Sequence, residues 1–197
     1  MSLLQAVKEI TKFLDRHKIP YVLLGGLAVQ YWGEPRTTRD IDVTVVVSQE
    51  ELESFLQKAL ERFSPRIPDA LSFARDHRVL LVKTDTGVPI DISLGIPGYE
   101  EEVMRRAITV SFHDVRVRMI SVEDLILHKS VAGRARDRED VERILIRQRL
   151  QVDLAYIRRW LSDFAPLVET QDVQLLFEEA LEEARATLRN QGNEVAD

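Results

Sequence analysis

The segment Ile41-Asp42-Val43-Thr44-Val45-Val46-Val47 constrains this chain more than any other. Its β-branched side chains crowd a helix but pack well on a pleated surface, so residues 41–47 read as a buried strand. Side chains alternate across a strand, which sends Ile41, Val43, Val45 and Val47 into a core and leaves Asp42 on the other face together with Asp40. Two carboxylates held side by side repel each other. A pair of hard oxygen donors is best neutralised by a divalent cation, magnesium first and manganese as its substitute. Acids at a loop-to-strand junction are common and often merely solvated, so the pair gains meaning from its surroundings.

Upstream, the short apolar run Tyr21-Val22-Leu23-Leu24 stops at Gly25-Gly26 and leads into a helix-compatible stretch through Leu27, Ala28 and Tyr31 that ends near Gly33. Glycines at that junction have free φ and no side chain, which lets a phosphate approach backbone N–H groups at a helix N-terminus. Downstream, residues 88–94 form a second acidic strand. Ile90, Ile92 and Leu94 share its buried face and Asp91 projects from the other with Pro89 and Ser93. If the two strands are neighbours, Asp40, Asp42 and Asp91 converge. Three such carboxylates suffice for two metal ions, one at an incoming hydroxyl and one at a triphosphate with its leaving pyrophosphate.

The rest of the chain frames these elements. Leu3, Leu4, Val7, Ile10 and Leu14 recur at helical spacing ahead of Pro20. Ser48 is placed to cap a helix through Leu52, Phe55, Leu56 and Leu60, and a loop around Pro65 and Pro68 returns the chain to strands at 78–83 and 88–94, joined by a turn at Thr84-Asp85-Thr86-Gly87. A short helix over 99–106 and a hairpin of 109–112 with 115–119 follow, and from Ser121 the pattern is helical almost to the end. The order predicts an α+β fold, not a regular series of parallel crossover units.

At these residues the chain resembles the DNA polymerase beta-like nucleotidyltransferase superfamily. The matching elements are Leu24-Gly25-Gly26-Leu27-Ala28, then Arg36-Thr37-Thr38-Arg39-Asp40-Ile41-Asp42, then Pro89-Ile90-Asp91-Ile92. The resemblance implies a mixed twisted sheet with helices packed on one face, followed by a helical C-terminal part. It implies that Asp40 and Asp42 bind both metals, that Asp91 helps position the catalytic one, and that Gly25 and Gly26 hold a nucleoside triphosphate. A looser continuation, Ser121-Val122-Glu123-Asp124-Leu125-Ile126-Leu127-His128-Lys129 with Gly133, Arg134, Asp137 and Asp140, resembles the small stand-alone branch that includes AbiEii-type toxins of toxin-antitoxin systems. A cognate antitoxin is the partner that branch implies.

Val122, Leu125, Ile126 and Lys129 fall at i, i+3, i+4 and i+7, so Lys129 lies on an apolar stripe where a charge needs a partner. A nucleotide phosphate, a structural acid, or water reached by snorkelling would each serve. Arg36, beside the acids, is a candidate phosphate contact. Asp137 and Asp140 stand where acids commonly favour a helix start. The expected division is a catalytic domain over 1–150 and a helical extension over 151–197.

A net charge of −6 argues against a dedicated duplex-DNA binder. It leaves room for a local RNA contact. The chain has no cysteine, which removes thiol nucleophiles and thiolate zinc sites and fits a reducing cytoplasm. The opening residues lack a secretory pattern and no apolar run reaches membrane-spanning length, so a cytoplasmic protein without membrane partners is expected. The expected chemistry is magnesium-dependent transfer of a nucleoside monophosphate from an NTP to a hydroxyl on RNA such as tRNA, on a protein or on a small molecule. Two alternatives compete with it: a catalytically silent nucleotide-binding or regulatory protein, and a metal-dependent phosphohydrolase. The latter usually brings histidine to its metal, and no histidine lies near these acids in the sequence.

Overall fold

The computed structural model of the chain describes residues 3–95, 98–168 and 172–194. Helix α1 (Leu3–Arg16) turns Ala6, Val7, Ile10, Phe13 and Leu14 inward at the spacing of one helical face. It leads to strand β1 (Tyr21–Leu24), helix α2 (Gly25–Trp32) and strand β2 (Ile41–Val45). Helix α3 (Leu52–Arg62), the two-residue strand β3 (Ser64–Pro65), helix α4 (Ala70–His77) and strands β4 (Val79–Lys83) and β5 (Pro89–Leu94) follow. Helix α5 (Tyr99–Arg106) then precedes the hairpin of β6 (Ile108–Phe112) and β7 (Val115–Met119). Helices α6 (Val122–Ala132), α7 (Ala135–Arg147), α8 (Leu154–Phe164) and α9 (Val173–Glu194) complete the chain, with a short 3-10 turn, Ala165–Leu167, after α8.

The described residues divide into two compact units, one of 1–27 with 37–120 and one of 28–36 with 121–197. The first holds a mixed, twisted seven-stranded sheet in the order β3-β4-β5-β2-β1-β7-β6, with helices packed on one face. Strand β2 runs parallel to β5 and antiparallel to β1, and β4 runs antiparallel to β5. Its core face is the one the alternation predicts. Ile41 pairs with Ile90, Val43 with Ile92 and Val45 with Leu94, and all six are buried. Burying side chains of this size contributes about 1.5–3 kcal/mol each, which fixes the register because a slip of one residue would turn the acids inward.

Two local features differ from the sequence reading. The segment read as a loop around Pro65 and Pro68 contains β3 and the whole of α4. Pro65 is tolerated because β3 lies at the sheet edge, where a missing N–H costs no ladder bond. Strand β2 stops at Val45, and Ser48 serves the turn ahead of α3: its Oγ accepts from Glu51 N at 3.3 Å and donates to Glu51 Oε2 at 2.8 Å. The expected turn at 84–87 is present, closed by Gly87 N donating to Thr84 O at 2.9 Å with Gly87 at φ +85°.

The second unit is helical. Ser121 caps α6 by accepting from Asp124 N at 3.1 Å, and Gly133, at φ +59°, closes it. Asp153 caps α8 by accepting from Tyr156 N at 2.9 Å. Leu125, Ile126, Val141, Ile144, Leu145, Ile157, Leu161, Phe177 and Leu181 form its apolar interior. Among the described residues no helix is long and apolar enough to cross a membrane.

Candidate active site

The pairing of β2 with β5 sets Asp42 directly beside Asp91. Register partners on neighbouring strands share a face, so both carboxylates project from the side opposite Ile41, Ile90 and Ile92. The same level runs on to Leu24 of β1 and Leu81 of β4, which makes a row Leu81, Asp91, Asp42, Leu24 across four strands. Asp40, one residue before β2, is exposed, and its Oδ1 accepts from Thr38 Oγ1 at 2.8 Å. Its charge is near enough to raise the proton affinity of Asp91. Asp40, Asp42 and Asp91 thus belong to one face of one unit.

The paired glycines are explained by what lies against them. A β-carbon on Gly25 would meet Asp42 Oδ2 at 1.8 Å, and one on Gly26 would meet Thr38 Oγ1 at 2.3 Å. Gly25 also has φ +59°, a conformation that side-chain-bearing residues rarely adopt. The glycines let Asp42 and Thr38 close onto the junction of β1 and α2, where N–H groups at the start of a helix offer an anion a favourable environment.

Sequence reasoning did not find Arg66. Its Nη2 donates to Asp91 Oδ1 at 2.5 Å, and its backbone N donates to Leu81 O at 3.0 Å. Nothing in Ser64-Pro65-Arg66-Ile67-Pro68 signals this role, because the contact depends on an edge pairing that places Pro65 opposite Val82. Burial pushes the Asp91 carboxyl above the usual carboxylate range; the Arg66 guanidinium pulls it down, and the negative charge of Asp40 pushes it up again.

Hard carboxylate oxygens on adjacent strands are the donor set that suits a hard divalent cation, and the like charge of Asp40 beside Asp91 is what such a cation would relieve. Asp40, Asp42 and Asp91 are therefore the residues that could hold one. The side-chain arrangement is not closed around an ion: among the described residues no group of three or more acidic or histidine side chains forms a metal-ligand cluster. Arg66 is bonded to Asp91, and Asp42 Oδ2 lies over Gly25.

Arg36 and Lys129 belong to the other unit, where they meet around two buried acids. Arg36 donates through Nε and Nη2 to the two oxygens of Asp140, both at 3.1 Å. Lys129 Nζ lies 2.6 Å from Asp137 Oδ1 and 2.9 Å from Asp140 Oδ2. The Asp137 and Asp140 side chains are only 6% and 3% exposed, so they act as counter-charges inside the unit and not as solvated acids of a helix start. Of the partners weighed for Lys129, these acids are the ones it contacts. Their spacing of three residues on α7, opposite a lysine on the apolar stripe of α6, was the available signal.

Solved structures support the fold. An antigenic nucleotidyltransferase-like protein from Paracoccidioides brasiliensis is 16% identical with a TM-score of 0.57, covering 94% of this chain and 89% of that one. The lincomycin-bound lincosamide antibiotic adenylyltransferase LnuA is 15% identical with a TM-score of 0.51, covering 71% and 94%. ANT(2")-Ia in complex with adenylyl-2"-tobramycin is 14% identical with a TM-score of 0.50, covering 92% and 98%. At these identities the likeness is one of fold, that of the polymerase beta-like nucleotidyltransferase superfamily. No curated protein sequence matches the chain. A family profile described as a nucleotidyltransferase of unknown function (DUF6036) matches residues 1–185, and the chain belongs to that family.

Proposed function

We propose that the protein transfers a nucleoside monophosphate from a nucleoside triphosphate to a hydroxyl acceptor. The observation that carries this reading is the Asp42–Asp91 pairing on one face, with Asp40 beside it and Gly25-Gly26 at its edge. A hydroxyl oxygen attacks the α-phosphorus, its bond to the bridging oxygen of the β-phosphate breaks, and pyrophosphate leaves. Magnesium, or manganese in its place, would be held by Asp40, Asp42 and Asp91 and would supply charge neutralisation for the phosphates. The backbone N–H groups at Gly25 and Gly26 receive the triphosphate. Asp91, half-buried and paired in register with Asp42, is the carboxylate proposed to take the proton of the hydroxyl.

The catalytic part is proposed to extend over 1–150, with 151–197 as a helical extension. The resemblance of the Ser121 to Asp140 region to the AbiEii-type branch favours RNA or protein over a small molecule as acceptor, and with it a cognate antitoxin as partner. Arg66 favours a second reading, because an arginine already neutralises the third carboxylate. On that reading the fold binds nucleotide without turning it over.

The test uses each of the four triphosphates, labelled on the α- or the γ-phosphate, with magnesium and total cellular RNA. Transfer of α-label to RNA or protein, lost in Asp42→Ala while the melting temperature is unchanged or higher, is the expected result. Free γ-phosphate without transfer would indicate a hydrolase, and binding without either product would favour the silent alternative. An Asp42→Ala protein that is clearly destabilised without metal would assign Asp42 a structural role.

A further inference from the structure

Arg66 places a charged side chain on the acid row that neither the sequence motif nor the proposed chemistry uses. The register accounts for its position: Ser64 pairs with Lys83 and Pro65 with Val82, so the next residue arrives at the level of Leu81, the partner of Asp91. Its backbone is tied there by the bond to Leu81 O at 3.0 Å. Only the side chain is free to change partner. It presently bonds Asp91 Oδ1 at 2.5 Å, with the two side chains 27% and 34% exposed.

We propose that Arg66 is a displaceable counter-ion for the third carboxylate, which releases Asp91 to a divalent cation and then binds the triphosphate. This rests on the nucleotidyl-transfer reading and adds a residue to it. An ion pair this open to water is worth only about a fivefold factor in an equilibrium constant. A dication facing Asp91 also faces Asp40 and Asp42, whereas the guanidinium bonds a single oxygen of Asp91, so the exchange favours the metal. The guanidinium freed in this way stays anchored beside the row, and its planar fork matches phosphate oxygens. The exchange makes metal and nucleotide binding cooperative: the cation alone must displace Arg66, and the nucleotide gives Arg66 a new partner.

The experiment measures manganese binding calorimetrically on the full chain, unsubstituted and as Arg66→Met and Arg66→Lys. It is followed by binding of α,β-methylene triphosphate analogues of the four bases at saturating manganese. The expected result for Arg66→Met is manganese bound roughly fivefold more tightly and the analogue bound roughly tenfold more weakly. Arg66→Lys should return both values toward those of the unsubstituted protein. A merely structural arginine would not tighten metal binding when removed. Manganese affinity that is unchanged or weaker in Arg66→Met overturns the displacement, and tighter manganese with unchanged analogue binding overturns the transfer to phosphate. No manganese binding by the unsubstituted protein overturns the nucleotidyl-transfer reading itself, and this inference with it.

Discussion

A β-carbon on Gly25 would stand 1.8 Å from Asp42 Oδ2, so the glycine and the carboxylate occupy adjoining space that only glycine leaves open. Gly25→Ala must both displace Asp42 and adopt φ near +59°. The expected outcome is a loss of about 1–3 kcal/mol in urea unfolding, from strain and displacement together, with nucleotide transfer reduced more than a hundredfold. Near-normal activity in this variant would show that Asp42 need not sit against the strand-helix junction.

The acids around Lys129 set a second expectation. Lys129→Met leaves Asp137 and Asp140 buried with one fewer cation, Asp140 keeping its fork from Arg36. Breaking a buried pair by removing one partner costs about 3–5 kcal/mol, and the retained Arg36 fork places the cost at about 3 kcal/mol. Adding Asp137→Asn to Lys129→Met should recover part of it. Urea denaturation of the two variants measures both, and a cost below about 0.5 kcal/mol would mean that the cluster is solvated in solution.

His128 gives the chain a pH dependence. Burial pushes its imidazole below the ordinary value of 6.5, against a smaller opposing pull from Asp124. The folded protein thus binds this proton less readily than the unfolded chain does. Stability is fully expressed above pH 6.5 and falls as the pH drops below it, down toward the depressed folded-state value. His128→Gln should flatten the decline between about pH 6.5 and 5, whatever its effect at pH 7. An unchanged slope in urea melts across that range would contradict the assignment.

What could be read from the sequence follows from where the signal is local. Strand β2 was legible because its β-branched alternation separates Asp42 from Ile41 and Val43, and β5 repeats that pattern around Asp91. That the two strands are neighbours was a condition the sequence could state but not establish, since pairing depends on the whole sheet order. Helix α4 was hidden because its buried face carries only Ala70 and Ala74, too small to stand out as an apolar stripe. Arg66 was invisible because its role arises from a two-residue edge strand. Asp137 and Asp140 were read by their position near a helix start, and their burial against Lys129 is a tertiary fact.

On the proposed function, the oxygens of Asp40, Asp42 and Asp91 share a divalent ion. The most direct measurement is manganese binding, followed by electron paramagnetic resonance, to the unsubstituted protein and to Asp40→Asn, Asp42→Asn and Asp91→Asn. Asp114→Asn, a change in an exposed pair with Lys8, serves as the control. Saturable binding is expected, weakened about tenfold or more in each of the three variants and unaffected in the control. Binding that ignores all three substitutions, or no binding at all, would contradict it.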